Sequence, residues 1–172
     1  MKSSAMKSAI YFAFLLGLSG CSYESVQNAQ GTAAGKTTPT VQMARKIKIS
    51  EIQQELNRLR NHQTEYDFIG ITSNAVDCIY FVLDGGKFDL EFEAMLSEQV
   101  PYIEKLRKWA ETNHLESTMT TYDNKPNYPS DRPAPVVHIE TDASIETAAK
   151  LGSQIEKEIF GNSDAKIYEV VP

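Results

Sequence analysis

The chain has 172 residues with 17 basic and 23 acidic side chains, so its formal charge at neutral pH is −6. This excess of acid disfavours binding to nucleic-acid phosphates. Its two cysteines, Cys21 and Cys78, are too few for a framework of several disulfides. The length is enough for one domain with a hydrophobic core, preceded by a segment of different composition.

The first twenty residues have the order of features of an export signal. Lys2 and Lys7 precede an apolar run at residues 9 to 18, and no acidic residue occurs before Cys21. Ten residues would reach about 15 Å as a helix, half of the roughly 30 Å hydrocarbon core, so a membrane-spanning helix is not expected. Residues 1 to 20 therefore predict a signal peptide that is removed.

Leu18, Ser19, Gly20 and Cys21 follow the apolar run and resemble the lipobox of bacterial lipoproteins. The resemblance covers the first 21 residues only. It implies that the Cys21 thiol receives a diacylglyceryl group, and that Cys21 becomes the first residue of the mature chain. Ser22, in place of the Asp that retains enteric lipoproteins in the inner membrane, implies the outer membrane with the domain facing the periplasm. An ordinary signal peptide with an incidental cysteine is the alternative.

Residues 21 to 44 predict a lipidated, flexible tether. They are rich in Ser, Thr, Gln, Ala and Gly and show neither helical nor strand periodicity.

Residues 1 to 20 contain two of the basic and none of the acidic residues, so the rest of the chain carries a formal charge of −8. A basic protein partner or a cationic ligand is therefore favoured, besides the membrane that would hold the lipid.

Residues 45 to 172 predict a single α+β domain. An amphipathic helix at about 50 to 62 is followed by two strands, DFIGITS and VDCIYFVL. From residue 88 the predicted order is strand, helix, strand, strand, helix, strand, which matches the split βαβ pattern of ferredoxin-like folds. The prediction is thus a ferredoxin-like antiparallel sheet extended by an N-terminal helix and two strands. Because VDCIYFVL is apolar on both faces, we expect that helix or a partner to cover part of the second sheet face.

Several local features belong to this fold prediction. Ser50 and Gln53 have the spacing of a capping box at the first helix. Asp84, Gly85 and Gly86 predict a hairpin turn. The second helix should turn four apolar residues inward, and the third, from about Ser144 to Phe160, should turn five inward. These residues are Val100, Ile103, Leu106 and Ala110, then Ile145, Ala148, Gly152, Ile155 and Ile159.

The strand KFDLEFEAM carries three carboxylates on one face. Asp89, Glu91 and Glu93 alternate with apolar residues, so neighbouring carboxylates should lie about 6.6 to 7 Å apart. We interpret this acidic strip as a contact surface for a cationic partner, with a solvated sheet face as the alternative. Glycosidases also use two carboxylates about 5 to 9.5 Å apart, but their chemistry needs a cleft and one raised pKa.

His138, Glu140 and Asp142 also occupy alternate positions of a predicted strand. Imidazole and carboxylates can bind zinc, but successive strand positions diverge, whereas zinc needs three or four converging ligands. No HExxH or CxxC spacing and no Gly-rich phosphate loop occurs. An ordinary polar strand face is favoured, and no metal or cofactor is predicted.

The loop NKPNYPSDRPAP, residues 124 to 135, contains four prolines together with Tyr128 and Arg132. Prolines lower the entropy lost when a partner orders a loop, and Tyr and Arg are frequent at binding hot spots. We consider Tyr128 and Arg132 candidate partner-binding residues. A rigid connection between two strands is the alternative.

No catalytic residue is predicted. No GxSxG nucleophile elbow occurs, and Cys78 lies among apolar neighbours that favour a buried, unreactive thiol. The sequence favours a membrane-anchored periplasmic lipoprotein that acts as a protein-binding module, in one version an inhibitor or immunity protein against a toxin. The alternatives are a structural envelope lipoprotein and a hydrolase of envelope polymers that uses paired carboxylates.

Overall fold

The computed structural model describes residues 45–122 and 134–171. The lipobox with Cys21, the predicted tether, and the loop residues Tyr128 and Arg132 lie outside these ranges. The described residues belong to one compact unit. None of the helices within them is both long and apolar enough to cross a membrane.

Seven strands and three helices occur in the described residues. Short 3-10 turns at Ile49–Glu51 and Ser97–Gln99 lead into the first and second helix. In chain order the elements are β1 (Arg45–Lys48), α1 (Ile52–Arg60), β2 (Phe68–Thr72), β3 (Ile79–Asp84), β4 (Lys87–Glu93), α2 (Val100–Thr112), β5 (Glu116–Tyr122), β6 (Ala134–Ala143), α3 (Ile145–Glu158) and β7 (Ile167–Val171).

The strands form one sheet in the order β1-β7-β2-β3-β4-β6-β5, and every neighbouring pair is antiparallel. The predicted α+β class with an antiparallel sheet is confirmed. The order is compatible with the split βαβ pattern, because β6 lies between β4 and β5. The hairpin β2–β3 widens the sheet from inside, between β4 and β7. Strand β1, which the sequence reasoning missed, adds an edge beside β7.

All three helices pack against the same face of the sheet. Their buried residues and alternate residues of the strands form one core, with the largest fully buried side chains at Tyr168, Phe81, Phe88 and Phe92. Helix α1 packs beside α3 on this face. Of the two covers expected for the second face, α1 is therefore wrong, and a partner stays a prediction. We call the second face, which none of the described helices covers, the open face.

The hairpin and most of the helix predictions are confirmed. Gly85 and Gly86 have φ angles of 59° and 84° in the β3–β4 turn, where residues with a Cβ are strained. The Ser144 hydroxyl accepts a hydrogen bond from the Thr147 N–H at 3.3 Å and caps α3. Of the apolar residues predicted to point inward, most are buried, namely Leu106, Ala110, Ile145, Ala148, Gly152 and Ile155.

Two local predictions fail. The capping side chain at the first helix is the Glu51 carboxylate and not the predicted Gln53 amide, because Glu51 Oε2 accepts the Lys48 N–H at 2.7 Å. Val100 is 40% exposed, since it lies at the first turn of α2. Trp109 takes a core position there, and its Nε1–H donates to Glu158 Oε2 at 2.9 Å.

Candidate functional site

The open face carries the acidic strip of β4 and also His138 of β6. Strand register sets Glu91 directly opposite His138 and Glu93 opposite Val136. Two groups of residues that the sequence suggested separately are thus brought together, because β4 and β6 are neighbours. We call Asp89, Glu91, Glu93 and His138 the acidic patch.

The His138 imidazole lies between two carboxylates. Its Nδ1 is 3.0 Å from Glu91 Oε1, and its Nε2 is 3.5 Å from Asp89 Oδ2. A protonated ring can donate towards both carboxylates, whereas a neutral ring can donate to only one. The side chains are 25% exposed for His138 and 31% for Glu91, so this pair is accessible from the open face.

Asp89 is a buried member of the patch with a structural task. Its Oδ1 accepts the N–H groups of Thr141 at 2.9 Å and Asp142 at 3.2 Å. These bonds lie where the β4–β6 register shifts between Phe88 and Leu90, and Asp142 has a φ angle of 46°. Asp89 thus satisfies backbone groups that the bulge leaves without ladder partners. It is not a carboxylate open to a partner.

Glu93 extends the patch along β4. Burial, followed by the charge of Glu91, raises the pKa of Glu93 to about 7. A carboxyl with this pKa exchanges its proton near neutral pH, unlike an ordinary glutamate. The acidic strip therefore contains three different carboxyls, which their alternation in the sequence does not reveal.

Aromatic rings adjoin the acidic patch on the open face. Tyr80 of β3 pairs with Glu91, Phe68 contacts Tyr80 edge to face at 6.0 Å, and Tyr66 stacks on Phe68 at 5.4 Å. Gly70 makes room for Tyr80, because a Cβ on Gly70 would be 2.9 Å from Tyr80 Cε1. The sequence reasoning missed these rings, although strand alternation places Phe68, Gly70 and Thr72 on one face.

Cys78 is half-buried and unreactive. Burial, opposed by a hydrogen bond with Tyr80, raises the pKa of its thiol to about 12. A thiol that keeps its proton at neutral pH is a poor nucleophile and a poor metal ligand. Within residues 45–122 and 134–171, no group of three or more His, Cys, Asp or Glu side chains is arranged to hold a metal ion.

A second polar cluster lies in the connection between β2 and β3. The buried Asp77 carboxylate accepts hydrogen bonds from the N–H groups of Ser73 at 2.8 Å and Asn74 at 3.0 Å, and from Asn162 Nδ2 at 2.7 Å. Burial alone would raise the pKa of Asp77, but the hydrogen bonds from Ser73, Asn74 and Asn162 lower it. Asp77 therefore ties this connection to the turn after α3.

Glu156 of α3 adjoins that cluster and is also buried. Its Oε2 accepts from Asn162 Nδ2 at 2.8 Å, and it hydrogen-bonds with Tyr168. Burial, together with the charge of Asp77, raises the pKa of Glu156 to about 8, against the effect of the Asn162 hydrogen bond. The groups of this cluster bond to one another inside the domain, while the buried Glu156 Oε1 has no hydrogen-bond partner among the described residues.

Two shallow cavities occur among the described residues. One of about 370 Å³ lies between the β2–β3 connection and the rings of Tyr102 and Phe160. The other, of about 270 Å³, lies between the start of α1 and α3. Neither is lined by a residue of the acidic patch. The carboxylates of β4 thus stand on a sheet face and not in either of these cavities.

The fold and the patch define an α+β domain with one helix-covered face and one open, acidic and aromatic face. No protein-family model matches the chain, and no significant match was found among curated proteins or solved structures. The function is therefore inferred from the residues of this chain.

Proposed function

We propose that this domain is a protein-binding module whose contact surface is the part of the acidic patch formed by Glu91, Glu93 and His138 on the open face, in a periplasmic lipoprotein anchored through lipid on Cys21. One observation carries the proposal. Carboxylates and aromatic rings lie side by side on a sheet face that none of the described helices covers. Aromatic side chains supply buried area in an interface, while the carboxylates supply charge complementarity.

The charge of the patch favours a basic partner. Glu91 and Glu93 are adjacent on the face, and the exposed Glu140 and Glu116 are paired on the neighbouring strands β6 and β5. The chain without residues 1 to 20 has a formal charge of −8, which would attract a cationic protein before contact. A basic toxin that reaches the periplasm is the partner in the immunity version of this proposal.

The placement of the carboxylates on a sheet face supports binding over catalysis. Hydrolysis of a polymer needs acids that converge in a cleft from which water can be excluded. The patch residues follow two neighbouring strands, and neither of the two cavities includes them. A surface of this kind suits a protein face better than a small substrate.

The first step of the test is to identify the partner. Cross-linking in living cells with the tagged chain, and with Cys21→Ala as the untethered form, should capture one stoichiometric protein. With that protein purified, we expect Glu91→Gln combined with Glu93→Gln to weaken binding about tenfold or more, and to lower the salt dependence of the dissociation constant.

A matched control changes the same charge elsewhere. Glu104 and Glu111 are exposed on α2, which covers the opposite face of the sheet, so their replacement by Gln removes two carboxylates without touching the patch. This control should bind like the wild type. Equal affinity of the wild type and the Glu91→Gln, Glu93→Gln variant would reject the acidic patch as the contact surface.

One observation supports hydrolysis as a second candidate. Glu93, with a pKa of about 7, stands two residues from Glu91 on one strand. Neighbouring carboxylates on one strand face lie about 6.6 to 7 Å apart. Glycoside hydrolysis pairs a carboxylic acid of raised pKa with a second carboxylate about 5 to 9.5 Å away. Release of soluble fragments from purified envelope polysaccharide, abolished by Glu93→Gln, would establish this candidate. Absence of release by the wild type would remove it.

A further inference from the structure

Within the described residues, strand β5 is an edge of the sheet that carries neither a proline nor a bulge. Five of its seven residues, at 116, 118, 119, 120 and 121, are exposed, and its ladder partner is β6 alone within the described residues. Its register with β6 is regular from Glu116 to Tyr122, so no bulge twists it away. Natural edge strands are normally blunted by charge, proline or a bulge, because their outer N–H and C=O groups can pair with another strand.

The opposite edge of the sheet, β1, carries that protection. It has four residues, of which Arg45, Lys46 and Lys48 are basic. Two copies of β1 would bring like charges together, which opposes pairing. In β5 only Glu116 is charged, and residues 117 to 122 read STMTTY. The two edges thus differ in charge, which decides whether a strand can pair with the same strand of a second copy.

The sequence of β5 is complementary to itself in an antiparallel pair. The register that overlaps all seven residues puts Met119 opposite Met119 of a second copy. Thr118 then faces Thr120 of the second copy, and Ser117 faces Thr121. Glu116 lies opposite position 122 and away from the other Glu116. Threonine pairs and an apolar central pair stabilise antiparallel strands, and no like charges meet.

Met119 adds an apolar contact at the centre of that pair. It is 43% exposed and lies opposite the fully buried Val137 of β6, on the helix-covered face. We propose that two copies of this chain associate through the outer edges of β5, with Met119 on the two-fold axis, to form one continuous sheet.

Such a dimer has a consequence for the open face. Strands β4 of the two copies would be five strand spacings apart, about 24 Å at roughly 4.8 Å per spacing. Both acidic patches would face the same side of the joined sheet. A partner with two basic surfaces could therefore bind both, although the dimer itself does not depend on the proposed function.

The first experiment measures mass in solution. We expect the full chain, in a density-matched detergent, to sediment as a concentration-dependent dimer. Met119→Lys puts two ammonium groups opposite each other and should leave a monomer with the circular dichroism and melting temperature of the wild type. Ile167→Lys is the matched control, because Ile167 of β7 is 45% exposed and lies away from β5. It should remain dimeric.

The second experiment tests the register. Cα atoms of opposed residues in an antiparallel pair are about 4.5 to 5.5 Å apart, within the range that a disulfide spans. Met119→Cys should therefore cross-link to its copy under mild oxidation, whereas Ile167→Cys should not. A monomeric wild type at every concentration, a dimer that Met119→Lys does not weaken, or a failure of Met119→Cys to cross-link overturns the proposal.

Discussion

Gly152 illustrates how one residue depends on a contact across the fold. It lies in α3 above β3, and a Cβ built on it would be 2.4 Å from Cζ of Phe81. Phe81 is fully buried at the centre of the core. Glycine is therefore required by the close approach of helix and ring, and not by the conformation of the helix.

We expect Gly152→Ala to lower the free energy of unfolding by about 1 to 3 kcal/mol. The helix would have to move outward or Phe81 would have to leave its rotamer, and this cost exceeds the gain in helix propensity of about 1 kcal/mol. Urea denaturation measures the change. Ser153→Ala, in the same turn, is the control and should change the free energy of unfolding much less. A Gly152→Ala variant as stable as the wild type would show that the core can rearrange to accommodate the added Cβ.

At the scale of elements, the connection between β2 and β3 holds the inserted hairpin in place. Besides the two N–H groups of Ser73 and Asn74, Asp77 accepts the Thr72 hydroxyl at 2.9 Å and Asn162 Nδ2. Asn162 follows Gly161, whose φ angle of 73° ends α3. One carboxylate thus joins the hairpin to the end of a helix 85 residues later.

Asp77→Ala should lower the free energy of unfolding by about 3 kcal/mol or more, because several buried donors lose their acceptor together. Asp77→Asn keeps one oxygen acceptor and should cost less. Thermal melts of the three chains give the order, and hydrogen exchange should show faster opening of β2 and β3 in Asp77→Ala. An Asp77→Ala variant with the melting temperature of the wild type would contradict the role assigned to this residue.

At the scale of the whole molecule, the buried Glu156 and the partly buried Glu93 make stability depend on pH. Glu156 has a pKa of about 8 and Glu93 of about 7, both raised above the ordinary value of 4.5. The native state therefore binds more protons than the unfolded chain between about pH 4.5 and 8. Linkage requires the free energy of unfolding to fall as pH rises through this window.

We expect the melting temperature to decrease from pH 5 to pH 9, with a loss on the order of a few kcal/mol in unfolding free energy. Glu156→Gln cannot ionise, so this variant should match the wild type near pH 5 and exceed its stability at pH 9. Glu104→Gln, at an exposed position, is the control and should follow the wild type. Equal pH profiles of the wild type and Glu156→Gln would show that Glu156 is not the titrating group.

Helices, the β3–β4 hairpin and the inward residues of β4 could be predicted because each depends on local spacing. Periodicity placed Leu106, Ala148 and Ile155 on buried helix faces. The same reasoning missed β1, a strand of four mostly basic residues whose pairing with β7 depends on residues more than a hundred positions away. Its alternation is too short to be distinguished from the preceding segment.

Alternation along β4 and β6 determined, from the sequence alone, that Asp89, Glu91 and Glu93 share a face, and that His138 shares one with Glu140. Only the tertiary structure decided that β4 and β6 are neighbours, so that His138 contacts Glu91. It also decided that Asp89 accepts hydrogen bonds from the backbone at the bulge, and that β5 lies at the edge of the sheet. The physical reason is that side-chain periodicity encodes which side of a strand is buried, whereas the choice of neighbouring strand depends on how the whole core packs.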